Sequence, residues 1–363
     1  MVPPNQHNLA VWAVTPNGAK LADRLADSLP DADIYVSQNL AEKKSSHILF
    51  ERLSATLEEK FGQYPGHIFI MSTGIVVRVL APLIQSKTRD PAVVVVDDLG
   101  KNAISLLSGH IGGANELTYK IAKIIEANPV ITTATDINAV PAIDMLAKEN
   151  NLFIENPGAI KTVNMALLTS KKIIVYDPHN ILKNALPGSE NLTSNELIKH
   201  FKKSGQHVDI KDVVYVFIDD LRVDLPSAVL ILRPASLIAG IGCNRNTEAA
   251  EILTHLEEVL EKNNLAPSSL KGLASIDLKA DENGLIMMAG NLKLPLTFFN
   301  KQELNQVKNI KNPSKVVEKH VGVKSVCEAA AILATRHGTL IVPKQSTKNV
   351  TVAIARINFL SSE

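Results

Sequence analysis

Strand-length apolar runs alternate with amphipathic helical stretches along most of this chain, and that alternation restricts the fold more than any other feature. Leu9–Val14, Ile34–Val36, His67–Met71, Val93–Val96 and Val130-Ile131 read as strands. Lys20–Leu29 repeats Leu21, Leu25 and Leu29 at helical spacing, and His47–Phe61 and Ile75–Ile84 read as helices. Ala114–Ile125 carries Leu117, Ile121, Ile124 and Ile125 on one face. Val93–Val96 is apolar without a break, as expected of a strand buried on both faces. Asp97–Asn102 turns the chain, and Ala103–Leu107 is expected back as a hairpin partner. The pattern predicts a mostly parallel sheet covered by helices, with ligands outside the carboxyl ends of its strands.

At 363 residues the chain exceeds what one hydrophobic core supports. The expected class is α/β in three parts. Residues 1–137 form an N-terminal, mostly parallel sheet domain with flanking helices. Residues 138–227 form a small α/β middle unit, with a helix at Gly158–Leu168, strands at Lys172–Tyr176 and Val213–Ile218, and a loop-rich stretch from Pro178 to Asn195. Residues 228–363 form a separate C-terminal α/β domain, opening on strands Val229–Leu232 and Leu237–Ile241 and followed by a helix at Thr247–Glu261.

Lys+Arg is 38 against Asp+Glu 37, so no chain-wide basic field exists to hold a phosphate backbone, and nucleic acid is not an expected partner. Two cysteines make no disulfide framework, which suits a reducing cytoplasm. The first residues lack signal-peptide order, and no apolar run approaches the ~20 residues of a membrane span. The expectation is a cytoplasmic enzyme of small-molecule metabolism that uses no membrane.

Ser108-Gly109-His110-Ile111-Gly112-Gly113-Ala114-Asn115 places three glycines and a histidine at a helix start. Backbone N–H groups there approach a ligand closely, and an imidazole exchanges protons near neutral pH. A tight turn with a structural histidine is the plainer alternative. No Gly-Lys-Ser/Thr follows, so a Walker-type phosphate loop is excluded. Ser72-Thr73-Gly74 opens a helix with Arg78 one turn in, either an anion site or an ordinary cap. Asp97-Asp98 either orients His110 or simply supplies turn chemistry. Thr132–Asp136, including Thr133, ends a strand with hydroxyls for a ligand, or with Asp136 as a helix cap.

In the last third, Gly240–Thr247 begins like a dinucleotide fingerprint, but Arg245 occupies the third-glycine position and excludes close pyrophosphate approach. Ser325 and Glu328 have capping-box spacing. Cys327 reads as a small buried residue, and Lys324 and Lys344 as additions to a positive rim. His179, His320 and Arg336-His337 stand alone.

The string Leu106–Asn115 resembles the signature of the cobalt-precorrin 5A hydrolases of anaerobic cobalamin synthesis, the CbiG family. Gly74–Arg78 and Thr132–Asp136 resemble motifs of the same N-terminal region. Gly240–Cys243, Leu273–Asp281, Val321–Ala331, Pro343-Lys344 and Val352–Arg356 resemble the family's C-terminal part. Two motifs depart: Asn244 and Asn246 flank Arg245 in place of a more basic, glycine-containing loop, and Asp97-Asp98 stands where Asp-Glu is expected. The resemblance implies opening of the δ-lactone of a cobalt-containing, ring-contracted tetrapyrrole, with release of acetaldehyde. It implies no added metal or organic cofactor, since the cobalt belongs to the substrate. His110 is then the expected base or proton shuttle, oriented by Asp97 or Asp98. Amides of Gly112 and Gly113, or Thr73, would face the oxyanion. Ser72, Thr73, Gly74, Arg78, Lys101, Ser108, Gly109, Gly112, Gly113, Asn115, Thr133 and Arg245 would bind substrate. A homodimer and transient contacts with neighbouring pathway enzymes stay open. The rival readings are a non-catalytic tetrapyrrole carrier and a nucleotide- or sugar-phosphate-binding enzyme.

Overall fold

The structure is a computed structural model that describes residues 8–40, 44–86, 89–193, 213–308, 310–313, 322–336 and 338–359. His320, Val321, His337 and the end of the expected Pro178–Asn195 loop lie outside the described residues. Two compact units divide the chain at residue 145.

The first unit is a seven-stranded sheet in the order β3-β2-β1-β4-β5-β6-β7. Its strands are β1 Leu9–Ala13, β2 Ala32–Ser37, β3 Ile48–Phe50, β4 Gly66–Ile70, β5 Ala92–Val96, β6 Asn102–Leu107 and β7 Asn128–Val130. Its helices are α1 Pro16–Ala26, α2 Leu53–Lys60, α3 Thr73–Leu80, α4 Ala114–Ile125, α5 Ala134–Ile137 and α6 Ile143–Glu149, the last crossing into the second unit. Alternate residues of β5 enter different cores. Val94 and Val96 pack with Leu21, Leu25 and Ile121, whereas Val93 and Val95 pack with Trp12, Leu57, Val76 and Leu80. Period-2 geometry applied to a strand buried on both faces requires an unbroken apolar run. His67 belongs to the second of these faces. Trp12 Nε1 donates to its Nδ1 (3.1 Å), its Nε2 donates to Phe61 O (3.0 Å), and burial lowers its pKa to about 4. It stays neutral and structural.

The expected helix His47–Phe61 is shorter than its pattern. Ile48–Phe50 pairs as a parallel edge strand with β2, and the helix begins only at Leu53. The β-favouring Ile-Leu-Phe run finds a sheet edge to complete, and pairing overrides local helical spacing.

The second unit holds two five-stranded sheets. One has the order β10-β9-β11-β12-β8, from β8 Leu152–Ile154, β9 Lys172–Tyr176, β10 Ser189–Asn191, β11 Val213–Ile218 and β12 Leu230–Pro234, with α7 Ile160–Leu168 packed on it. The strand expected to open the third part is therefore β12 of the middle sheet, parallel to β11 and antiparallel to β8. The other sheet has the order β15-β14-β13-β17-β16, from β13 Leu237–Cys243, β14 Leu270–Ile276, β15 Leu296–Phe299, β16 Thr339–Ser346 and β17 Val350–Arg356. Its helices are α8 Ala249–Lys262, α9 Asn283–Leu292, α10 Lys301–Asn305 and α11 Val326–Ala334. The alanines of α11 let it lie on β13 so closely that a Cβ on Gly240 would sit 1.9 Å from Cys327 O. Cys327 is buried, with its thiol pKa raised by desolvation, as a structural cysteine should be.

The two sheets of this unit are joined by charge. Asp220, wholly buried, accepts from Arg356 Nε (2.7 Å) and Nη2 (2.6 Å) and from Ser236 Oγ (2.7 Å). Arg233, also buried, bonds Glu155 and donates Nη1 to Asp219 O (2.9 Å).

Candidate active site

Register decides which loops share an edge. β4 and β5 run parallel, but β6 returns antiparallel from β5, with Val96 opposite Ala103 and Val93 opposite Leu107. β7 then runs parallel to β6. The carboxyl ends of β6 and β7 therefore lie at the amino ends of β1, β4 and β5. A hollow of about 320 Å³ confirms the placement, since Leu9, Gly66 and Ala92 line it together with Gly112 and Gly113.

The sequence-predicted residues thus fall into two groups on opposite edges, separated by the length of β5, roughly 15 Å. Ser72, Thr73, Gly74, Asp97, Asp98 and Lys101 occupy one edge. Ser108, Gly109, His110, Gly112, Gly113, Asn115 and Thr133 occupy the other. Arg78 is exposed in the last turn of α3. Thr73 cannot face an oxyanion beside His110, and neither Asp97 nor Asp98 orients that histidine. Asp97 instead ties its own turn, accepting from the amides of Leu99 (3.0 Å), Lys101 (3.2 Å) and Asn102 (2.6 Å), and these bonds lower its pKa against the effect of burial. Asp98 accepts from Thr15 Oγ1 and from Asn17 Nδ2 (3.1 Å). Asp97 is thus held by its own turn and Asp98 by the start of α1.

The His110 edge forms one connected network. Ser108 leaves β6 with φ of 58°, its Oγ buried without a partner among the described residues. A Cβ on Gly112 would lie 2.4 Å from Ser108 Cβ, and Gly113 has φ of 87°, so the turn requires glycine at both positions. Gly113 N–H closes the turn on His110 O (2.9 Å), which removes one amide expected to face an oxyanion. Asn115, buried at the start of α4, accepts from Ser105 Oγ (2.6 Å) and donates to Thr133 Oγ1 (2.8 Å) and Asp136 Oδ2 (3.1 Å).

His110 is bracketed by carboxylates. Its Nε2 lies 2.8 Å from Asp136 Oδ2 and 3.0 Å from Thr135 Oγ1, and its Nδ1 lies 3.4 Å from Asp144 Oδ2. Asp144 is 6% exposed. The His110 pKa is raised, first by the hydrogen bond to Asp144 and then by Asp136, against a lowering by desolvation. The two carboxylates favour the protonated imidazole. Asp144 carries no motif in the sequence, whereas Thr135 and Asp136 belong to the strand-end stretch Thr132–Asp136, Thr135 as one of its hydroxyls and Asp136 as a cap. The signal for Asp144 was a carboxylate inside the apolar run Val140-Pro141-Ala142-Ile143-Asp144-Met145-Leu146.

In the second unit Arg245 is already engaged. It forms an ion pair with Asp281 (2.5 Å) and donates Nη2 to Leu278 O (2.7 Å), latching the loops after β13 and β14. Nor do Ser325 and Glu328 form a capping box. Ser325 makes no side-chain cap bond, and Glu328 points into the core to bind other loops. The capping box lies instead at Asn300 and Glu303. Among the described residues, no three His, Cys, Asp or Glu side chains are placed to hold a metal ion, and no helix is long and apolar enough to cross a membrane.

Fold and site together define a multi-sheet α/β protein with a proton-transfer group at a glycine turn. Three family descriptions match in order along the chain: Cobalamin synthesis G N-terminal over residues 55–136, Cobalamin biosynthesis central region over 141–234, and Cobalamin synthesis G C-terminus over 237–355. The cobalt-precorrin-5A hydrolase of Priestia megaterium is 34% identical over 364 residues, 96% of this chain and 95% of its own. That of Salmonella typhimurium is 36% identical over 352 residues, 96% and 97% respectively. The solved cobalamin biosynthesis protein chiG of Agrobacterium tumefaciens is 31% identical, with a TM-score of 0.27; 35% of this chain covers 99% of it. The chain belongs to the cobalamin-synthesis G family.

Proposed function

We propose that this chain hydrolyses the δ-lactone of cobalt-precorrin 5A and releases acetaldehyde, giving cobalt-precorrin 5B. The near full-length likeness to two proteins named cobalt-precorrin-5A hydrolase supports the substrate. The carboxylate-bracketed His110 is the observation that carries the chemistry. A cytoplasmic location goes with this reading, and the cobalt it involves is the substrate's own.

Lactone hydrolysis needs a base for water, a donor for the departing alkoxide and a stabilised oxyanion. Asp136, partly exposed, takes the proton from water, and the resulting hydroxide adds to the lactone carbonyl. Gly112 N–H, without an acceptor among the described residues, is the backbone donor for the oxyanion. The acyl C–O bond breaks, and His110 Nε2 gives its proton to the alkoxide oxygen. The proton on Asp136 then returns to His110 across their 2.8 Å hydrogen bond. The freed hydroxyl gives its proton to the regenerated Asp136 carboxylate as the adjoining C–C bond breaks; acetaldehyde departs, the bonding electrons stay with the conjugated ring, and the ring takes up that proton. One water is consumed and one acetaldehyde leaves. Asp144 fixes the imidazole through Nδ1, the role a buried carboxylate plays behind a catalytic histidine.

Asp144→Asn separates these roles. Loss of its charge lowers the His110 pKa, so the protonated donor disappears at a lower pH. The alkaline limb of the kcat–pH profile is expected to move to lower pH. Asp136→Asn is expected to reduce kcat by about 10²-fold or more. An alkaline limb unmoved in Asp144→Asn would remove His110 as the donor.

A further inference from the structure

The hollow beside Gly112 and Gly113 is about 320 Å³, room for one edge of a large ligand. A much larger cavity, about 900 Å³, lies in the second unit between the end of α10, α11 and β16. Val307, Ile332 and Leu340 belong to the core cluster beneath it, and Ile310 packs against that cluster. Lys308 and Lys311 line it as well, and among the described residues no carboxylate does. Neither lysine has an ion-pair partner among the described residues. An apolar floor with two unpaired ammonium groups suits a broad, flat molecule carrying peripheral carboxylates.

The backbone at Lys311 and Asn312 is fixed in place. Glu328, fully buried on α11, accepts from Lys311 N (2.7 Å) and Asn312 N (3.1 Å) through Oε2. Its Oε1 accepts from Lys344 N (2.9 Å) and Asn312 Nδ2 (3.1 Å). Lys344 Nζ in turn donates to Asn312 O (3.1 Å). One carboxylate therefore pins Lys311 and Asn312 to both α11 and β16, so this part of the cavity wall is ordered before any ligand arrives, which lowers the cost of binding.

We propose that this cavity is a binding site for the polycarboxylate macrocycle, gripping its acid side chains through Lys308 and Lys311 independently of His110. The proposal rests on the tetrapyrrole reading above and adds a second site, within the second unit, for the same class of ligand.

The test uses the full chain and two corrinoid probes in equilibrium dialysis followed by visible absorbance. Cobyrinic acid presents free carboxylates, and cobinamide presents amides. Wild type is expected to bind cobyrinic acid more tightly than cobinamide, with affinity falling as salt is added. The double variant Lys308→Glu/Lys311→Glu, with an unchanged melting temperature, is expected to bind cobyrinic acid about tenfold more weakly or worse. His110→Asn is expected to bind it as wild type does. Equal binding by the double variant, or displacement by inorganic phosphate at matched ionic strength, overturns the proposal. Acetaldehyde formation by wild type is scored separately. If it occurs while the double variant binds normally, the hydrolase reading stands and this site falls. If wild type forms none, the hydrolase reading falls, and the binding comparison still decides the site.

Discussion

His110→Asn is expected to lower the rate of acetaldehyde release by about 10²–10⁴-fold, the usual contribution of a positioned acid–base group. Asparagine keeps a polar side chain of similar reach but has no group that titrates near neutral pH. The turn itself does not depend on the imidazole, since the close approach of Ser108 and Gly112 and the left-handed Gly113 set its path. Substrate affinity should therefore change little while kcat falls, a signature of an interaction made in the transition state. Stability should respond in a pH-dependent way. The His110 pKa is raised in the fold by Asp144, then Asp136, so its contribution is complete below the ordinary histidine pKa and is lost as pH rises through the raised value. The stability gap between wild type and His110→Asn should be widest in mild acid and narrow in alkali, measured as urea midpoints. A kcat within tenfold of wild type would exclude proton transfer by His110.

Arg356→Ala is expected to destabilise the second unit by about 3–5 kcal/mol, the cost of leaving a buried charge without its partner. Asp220 has no access to solvent, and Arg356 supplies two of its three side-chain hydrogen bonds. The same aspartate joins the sheets through its backbone, accepting from Ala266 N (2.8 Å), while Arg222 N donates to Asn264 O (2.7 Å) nearby. Removing both charges in Arg356→Ala/Asp220→Ala should cost less than the single arginine variant, because no uncompensated carboxylate remains. Denaturant unfolding of the two variants checks this. A double variant less stable than Arg356→Ala would mean that Asp220 contributes mainly through contacts other than this pair.

Much of the fold was legible because burial writes itself into spacing. Ala114–Ile125 appears as a helix with the expected bounds, and Val93–Val96 as a strand serving two cores. The hairpin return at Ala103–Leu107 was legible too. Its consequence was harder to read, since a run of apolar residues shows that a strand exists but not which way its neighbours point. That one reversal moved Ser72–Gly74 and Asp97–Lys101 to the edge opposite His110.

The glycine turn and its histidine stood out because their backbone needs are local. Their partners did not. Asp136 and Asp144 are 26 and 34 positions along from His110, and only the fold brings them to the two ring nitrogens. Arg245 looked available for an anion because Asp281, 36 residues on, carries no local sign of the pairing. Glu328 matched a capping pattern three residues after Ser325, yet tertiary contact with Lys311, Asn312 and Lys344 claimed its side chain. In each case a long-range hydrogen bond displaced a short-range rule.

If the Asp136–His110 pair opens the lactone, the chain alone must release acetaldehyde from it. The most direct measurement is incubation of purified protein with the lactone form of cobalt-precorrin 5A, following acetaldehyde and product mass together. The expected result is one acetaldehyde per substrate consumed, a product mass equal to substrate plus water less acetaldehyde, and near loss of both signals in His110→Asn. Acetaldehyde released equally fast by wild type, His110→Asn and protein-free buffer would contradict catalysis by this pair.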